Sequence, residues 1–366
     1  MKIILFANTD WYLYNFRLPL AEALRARGDE VIFLSPPGQY APKLTKLGFR
    51  WLEFPFSRRG MNPLAELATV LRLWRLYWRE QPDLVHHFTI KCVLYGSLAA
   101  HLSGIPRIIN AITGLGYAFN KENHILGAIA RFFYRFVLKN TKVIFQNPDD
   151  LDTFTNAKLL QPAQAHLIRS SGVDLARFPP RPETNNQPAL VILPARLLKD
   201  KGVLEFVEAA RLLKQRGIPT RMALIGDPDP YNPTSASPQE IHEWVAETIV
   251  EAWGWQEQMA EVYAASQIVC LPSYREGVPR TLLEAAASGR AIVATDAPGC
   301  REVVRHGVNG LLVPIRDPRA LADAIQTLLE NPGLRQQMGQ RGREIVEQEF
   351  SSEIVIEKTI KVYERG

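Results

Sequence analysis

Two carboxylates with seven residues between them, Glu276 and Glu284, stand where an apolar run gives way to a Leu/Ala-rich one. Gln267-Ile268-Val269-Cys270-Leu271-Pro272-Ser273 reads as a buried strand turning outward. Leu282 to Ser288, stopped by Gly289, reads as a helix. Glu276 therefore falls on a strand-to-helix loop and Glu284 on the helix. Pro279 suits the first helical position, where a missing N–H costs nothing. The free amides of a helix start favour a phosphate. One carboxylate, one anion-binding helix start and a second carboxylate suit a sugar, a diphosphate and a ribose. A second junction, Pro194 to Val203, carries Arg196 and Lys201, two cations placed to neutralise a diphosphate leaving group. Taken alone, that junction reads equally as a solvated basic turn.

These residues need a scaffold that ends strands beside helix starts. At 366 residues the chain fits two domains. The first half alternates strands (Lys2–Phe6, Val31–Leu34, Leu84–Phe88, Arg107–Ile112, Val143–Gln146, His166–Ile168) with amphipathic stretches at Leu18–Arg27, Pro63–Glu80, Tyr95–Ser103 and Leu126–Lys139. The second half repeats the rhythm with strands at Ala189–Pro194, Arg221–Ile225, Ile268–Leu271, Ala291–Ala294 and Leu311–Val313. Continuous Val/Ile/Leu runs fit strands buried on both faces of parallel sheets. The expected fold class is therefore α/β, two doubly wound Rossmann-like domains facing a cleft. The Pro-rich stretch Phe178 to Pro188 is expected to link domains at 1–178 and 188–351, with a last helix at 352–366 returning to the first. Asp227 to Pro238 reads as a mobile, turn-rich loop.

Composition narrows the class. Hydrophobic residues make up 46% and charged residues 22%, as in a soluble globular protein. Cys92, Cys270 and Cys300 match no zinc or disulfide spacing and read as buried thiols. The polar Asn8-Thr9-Asp10 arrives too soon for a signal peptide, and no run reaches the ~18 apolar residues of a membrane span. A cytoplasmic setting is expected. The net charge of +5 divides unevenly: up to Pro180 there are 22 Lys+Arg against 13 Asp+Glu, and the remainder is acidic. The basic surplus gathers with aromatics in Leu71–Arg79 and Ala130–Lys139, where Arg72, Arg75 and Arg79 align, as do Arg131 and Arg135. Such helices lie on anionic membrane surfaces. No nucleic-acid recognition motif accompanies the charge.

The Glu276–Glu284 pair, Arg196 with Lys201, Pro272-Ser273-Tyr274-Arg275-Glu276-Gly277 and Asn309-Gly310-Leu311-Leu312-Val313-Pro314 together resemble the family-4 retaining glycosyltransferases of the GT-B fold. The resemblance spans almost the whole chain. It implies that Glu276 meets the donor sugar's hydroxyls and Glu284 the ribose. Arg196 and Lys201 would hold the diphosphate, with the backbone of Gly277, Val278, Pro279, Arg280, Thr281 and Leu282 helping. It implies no metal and no cofactor, the cations and helix start doing the ion's work. On the acceptor side, Asp83 to Lys91 resembles a strand that in the family reads His-x-His-Thr-x-Lys. Here Phe88 replaces the second His and His87 comes one place earlier. Thr113 stands where the family often has a His before Gly-Leu, and Thr cannot serve as a general base. The aromatic first loop offers Asp10 and Asn15 to a hydroxyl. The acceptor-side candidates are thus Asp10, Asn15, His87, Lys91 and Thr113.

Ser273-Tyr274-Arg275-Glu276-Gly277 and Thr295-Asp296-Ala297-Pro298-Gly299-Cys300-Arg301-Glu302 are similar to transferases that extend undecaprenyl-diphosphate-linked glycans. That likeness implies a UDP-sugar donor, with UDP-GalNAc or UDP-GlcNAc favoured. It also implies a polyprenyl-diphosphate-linked acceptor and a peripheral place on the inner face of the cell membrane. A non-catalytic nucleotide-sugar-binding protein, or a transferase using a soluble acceptor or a GDP- or dTDP-sugar, is the alternative. A dinucleotide oxidoreductase is disfavoured, because no Gly-x-Gly-x-x-Gly follows the first strand. No lysine segment resembles a pyridoxal-phosphate site.

Overall fold

The structure, a computed structural model, describes residues 1–57, 62–114, 132–183 and 187–364. Contacts divide the chain into two units, Met1–Ser171 with Glu353–Gly366, and Gly172–Ser352.

The first unit is built on a parallel seven-stranded sheet. Its strands are β1 (Lys2–Phe6), β2 (Glu30–Ser35), β3 (Arg50–Glu53), β4 (Leu84–Phe88), β5 (Arg107–Ile112), β6 (Lys142–Phe145) and β7 (Ala165–Leu167), in the order β3-β2-β1-β4-β5-β6-β7. One sheet face packs α1 (Asp10–Ala26), α2 (Ala41–Lys46) and the C-terminal helix α13 (Ser352–Glu364) through Leu5, Phe33, Ile109, Leu13, Leu44 and Val355. The other carries α3 (Pro63–Glu80), α4 (Ile90–Leu102) and a helical stretch over residues 132–137, reached by Ile108 and Ile112 of the same strand. Tyr363 of α13 lies 2.6 Å from His86 of β4 through its hydroxyl. The sequence alone misses β3, whose Arg-Trp-Leu-Glu lacks the continuous apolar run because it is an edge strand.

The second unit repeats the plan. Its strands β8 (Ala189–Pro194), β9 (Thr220–Ile225), β10 (Glu251–Gly254), β11 (Ile268–Leu271), β12 (Ala291–Thr295) and β13 (Gly310–Val313) lie in the order β10-β9-β8-β11-β12-β13, all parallel. The helices that bear on the site are α6 (Val203–Gln215), α8 (Met259–Ala265) and α9 (Arg280–Ala287), with α12 (Pro332–Glu349) near the end. The edge strand β10 is the other one the sequence pattern misses. In both sheets the strand order reverses between the first strand and its later neighbour, β1 beside β4 and β8 beside β11. Ligands of doubly wound sheets bind outside the carboxyl ends at such a reversal.

The Pro-rich stretch is strapped to the second unit. Phe178 is buried against Tyr263. The Arg290 guanidinium donates to the Arg181 carbonyl at 2.5 Å, and Arg335 pairs with Glu183 at 2.7 Å. The contact boundary accordingly falls at Ser171, before the prolines. The segment Asp227 to Pro238 is likewise tied down. Lys199 N donates to Thr234 O at 2.7 Å, and Ala236 N to Leu197 O at 2.8 Å. The three cysteines are free and buried.

Candidate functional site

The junctions after β8 and β11 meet at the reversal of the second sheet. Ser273 Oγ lies 3.1 Å from the Asp200 carbonyl, and Tyr274 N donates to the same oxygen at 3.0 Å. Gly202, at φ +75°, lets the β8 junction turn into α6. A Cβ there would sit 2.2 Å from the Pro272 carbonyl oxygen, so only glycine permits this approach. On the other side Glu276 N donates to Pro298 O at 3.0 Å. Thr295 Oγ1 donates to Ser273 O.

This framework brings Lys201 and Glu276 together. Lys201 Nζ contacts Glu276 Oε1, and Ser273 Oγ lies 2.7 Å from the same oxygen. Both contacts fall on Oε1, which leaves Oε2 for another donor. Ser273 is a residue the sequence reading did not assign; its signal was its place three residues before Glu276, within reach of that side chain across a turn. Arg196 is exposed and donates to Asp229 Oδ2 at 3.1 Å. Glu284 is buried on α9, with Arg280 Nε at 2.8 Å and the Tyr263 hydroxyl, from α8, donating at 3.1 Å. Burial pushes its carboxyl above the usual range, against the pull of Arg280, Tyr263 and Arg177. Pro279 is the N-cap of α9 rather than its first helical residue. The Leu282 amide already donates to Pro279 O at 3.1 Å and its side chain is fully buried. Gly277 and Val278 precede that helix start, and Thr281 lies in its first turn.

Asp227 and Asp229 have the Asp-x-Asp spacing of many metal sites, but Asp229 holds Arg196 and Asp227 accepts from Trp255 N at 3.2 Å. Among the described residues no three His, Cys, Asp or Glu side chains gather to hold a metal.

In the first unit a cavity of about 290 Å³ opens at the reversal between β1 and β4, lined by Asn8, Phe56, Thr89, Lys91, Thr113 and Gly114 among others. Of the acceptor-side candidates it gathers Lys91 and Thr113. Lys91 Nζ is held by Glu66 Oε1 at 2.7 Å and the Ser57 carbonyl at 3.0 Å. Asn8, not among the sequence candidates, lies two residues past the end of β1 and lines the same cavity. The Leu115-Gly116 part of the family motif lies outside the described residues, as do Leu126 to Arg131 of the basic aromatic segment.

The other three candidates have different duties. Asp10 is no loop residue: Thr9 caps α1 through Tyr12 N, so the helix begins eight residues before the apolar periodicity suggests. The buried Asp10 carboxylate accepts from Tyr40 N at 2.7 Å and Ala41 N at 2.9 Å, satisfying the start of α2. Asn15 lies within α1 and donates to Trp11 O at 2.9 Å. His87 is fully buried, between Asn110 Oδ1 at 2.9 Å and the Tyr77 hydroxyl at 3.0 Å. With the amide oxygen accepting from Nδ1–H, Nε2 is left to accept the tyrosine proton, which fixes a neutral ring. Burial lowers its pKa from 6.5 to about 4, and burial also lowers that of His86.

An acid-stability test follows. An unfolded His87 takes up its proton near pH 6.5 and the folded one only near 4. Stability from its neutral state is therefore complete above pH 6.5 and falls as pH drops toward 4, by about 3 kcal/mol over that interval. Urea unfolding from pH 7 to 4 should show the decline, and His87→Gln should make it shallower, leaving the part that the buried His86 contributes in the same direction.

Residues 2–147 match the family described as Glycosyl transferase 4-like, and residues 176–345 match Glycosyl transferases group 1. An N,N'-diacetylbacillosaminyl-diphospho-undecaprenol alpha-1,3-N-acetylgalactosaminyltransferase of Campylobacter jejuni is 28% identical, covering 100% of this chain and 99% of that one. A UDP-Gal:alpha-D-GlcNAc-diphosphoundecaprenol alpha-1,3-galactosyltransferase of Escherichia coli is 22% identical over 74% of this chain and 72% of its own. Among solved structures, Anabaena HepE in complex with UDP and glucose superposes with a TM-score of 0.79 at 19% identity, covering 100% of both chains. A glycosyltransferase from Rickettsia africae does so with a TM-score of 0.80 at 18% identity, over 100% of this chain and 99% of its own.

Proposed function

We propose, from the premise that this chain belongs to the GT-B glycosyltransferases with a glycosyl transferase 4-like first half and a group 1 second half, that it moves an N-acetylhexosamine from a UDP-sugar to a polyprenyl-diphosphate-linked saccharide. UDP-GalNAc and UDP-GlcNAc are the favoured donors. The reading is supported by the Campylobacter and E. coli relatives, whose names place their action on undecaprenyl-diphosphate-linked sugars. The observation that carries it is the Lys201–Glu276–Ser273 cluster at the strand reversal of the second sheet.

In this reading the second unit holds the donor. Lys201 and Arg196 meet the diphosphate, so negative charge developing on the leaving UDP is stabilised where it forms. Glu276 accepts from the sugar's hydroxyls through Oε2, and Glu284 from the ribose. The C1–O bond to the β-phosphate breaks and the acceptor oxygen bonds C1 on the same face. The acceptor's proton passes to a β-phosphate oxygen, giving UDP and a retained anomeric configuration. This route needs no side-chain base, consistent with Thr113 and a His87 committed to the core. No metal is assigned, since the two cations do its electrostatic work. The first unit holds the acceptor, with Asn8, Lys91 and Thr113 at its cavity.

Among the described residues no helix is long and apolar enough to cross a membrane. A peripheral place on the cytoplasmic membrane face is proposed, where the lipid-linked acceptor is reached from outside the bilayer.

A thermal-shift panel of UDP-, GDP- and dTDP-sugars tests the donor. UDP-GalNAc or UDP-GlcNAc should raise the melting temperature most. A GDP-sugar giving the largest rise would overturn the nucleotide assignment. In titrations with UDP, Arg196→Ala and Lys201→Ala should each weaken affinity by about tenfold, the worth of one charge-assisted contact. Slow hydrolysis of the bound UDP-sugar by the purified protein would exclude a purely binding role.

A further inference from the structure

Helix α3 has two apolar faces. Val70, Leu73 and Tyr77 turn into the core of the first unit, while Leu64, Leu67, Leu71 and Trp78 on the opposite side are exposed, Leu64 at 78% and Trp78 at 65%. Positions 64, 67, 71, 75 and 78 recur at three- and four-residue steps, so they form one stripe along the helix. Arg75 lies within it, and Arg72 and Arg79 border one edge. Both acids of α3 are drawn away: Glu80 is buried with Arg50 at 2.7 Å, and Glu66 holds Lys91 at 2.7 Å. Beyond α4, in the same helical layer on the same sheet face, Phe132, Phe133 and Phe136 are also exposed, with Arg135 and Lys139 beside them. A monomer rarely leaves this much large apolar surface in water unless something covers it.

We propose that this layer docks on an anionic lipid bilayer by inserting the α3 stripe and the three phenylalanines, the flanking cations taking headgroup phosphates. The inference rests on the membrane-borne acceptor proposed above and names the surface that reaches it. Charge complementarity selects the occupant: an apolar stripe bordered by cations, with its carboxylates turned inward, matches apolar chains beneath anionic headgroups. The arginine row seen in the sequence supplies only part of the attraction. The guanidinium of Arg72 also donates to the Pro55 carbonyl at 3.1 Å.

Flotation of the full chain with vesicles of phosphatidylcholine, and of phosphatidylcholine with phosphatidylglycerol, tests this at low and high salt. Leu64→Gln/Leu67→Gln/Leu71→Gln should cut the vesicle-bound fraction about tenfold at both salt concentrations. Arg72→Gln/Arg75→Gln/Arg79→Gln should cut it only at low salt and only on anionic vesicles. Trp78→Ser, a single exposed change, should show a smaller loss and keeps the test valid if the triple variant fails to fold. Wild-type flotation by the leucine and Trp78 variants would overturn the proposal. So would a dimer in gel filtration that the leucine variant splits, since a second copy would then cover the stripe. UDP affinity of these variants should stay at the wild-type value; its loss in the unmodified protein would instead defeat the donor reading.

Discussion

Glu276→Ala is expected to lower sugar transfer by about a thousandfold while the protein still folds and still binds UDP. The side chain has two jobs in the geometry. Its Oε1 holds Lys201 and the Ser273 hydroxyl, and in the proposed mechanism its Oε2 accepts from the donor sugar. Alanine removes both, so the sugar loses an acceptor and Lys201 loses the partner that aims it. Glu276→Gln separates them, because an amide oxygen can still accept from Ser273 and Lys201 but carries no charge. Ser273→Ala leaves the carboxylate in place without its hydroxyl partner. Transfer rates should fall in the order alanine at 276, glutamine at 276, alanine at 273, with UDP affinity changing least in the last. Full transfer activity in purified Glu276→Ala would end the proposed mechanism.

The placement of Glu276, Glu284 and Lys201 was legible because these residues are consecutive with the elements that carry them. Ile268–Leu271 is apolar throughout, so it had to be a buried strand, and a helix had to follow Pro279. Glu276 could therefore be put on the loop between them from spacing alone. Lys201 was legible for the same reason one junction earlier. Contacts made across the sheet were not legible. Nothing in the sequence says that the hydroxyl of Tyr263 donates to Glu284 across 21 positions, or that Asp229 returns to Arg196.

The first unit was harder to read. Asp10 and Asn15 read as open to a hydroxyl because they follow a strand in a polar and aromatic stretch, and His87 because the family's strand carries histidines there. In the fold each answers a local need: an uncapped helix start, a place inside a helix, a buried ring requiring two partners. Gly96 shows how fixed the last arrangement is, since a Cβ there would lie 2.5 Å from the His87 ring. Only tertiary neighbours distinguish a histidine held this way from one facing substrate. The edge strands β3 and β10 escaped for a related reason, because a strand at a sheet edge lacks the two-sided burial that writes an apolar run.

Gly202→Ala is expected to damage the proposed donor site more than its single added methyl suggests. The residue sits at φ +75°, which costs an alanine about 1 kcal/mol. The added Cβ would also lie 2.2 Å from the Pro272 carbonyl oxygen, a backbone atom with nowhere to go. That backbone is fixed from the other side, where Ser273 and Tyr274 reach Asp200 O and Thr295 holds Ser273 O. Relief therefore requires the β8 and β11 junctions to part, and that separation breaks the Lys201–Glu276 contact. Gly217 provides the control within the same unit: its φ is +70° and a Cβ there meets nothing within 4 Å. Gly217→Ala should carry the backbone cost alone, a fall of about 2–4 °C in Tm with UDP binding intact. Gly202→Ala should lower Tm by about three times as much and weaken UDP binding by at least about tenfold. Equal behaviour of the two variants would mean that the junctions adjust independently and that Lys201 and Glu276 do not depend on this approach for their pairing.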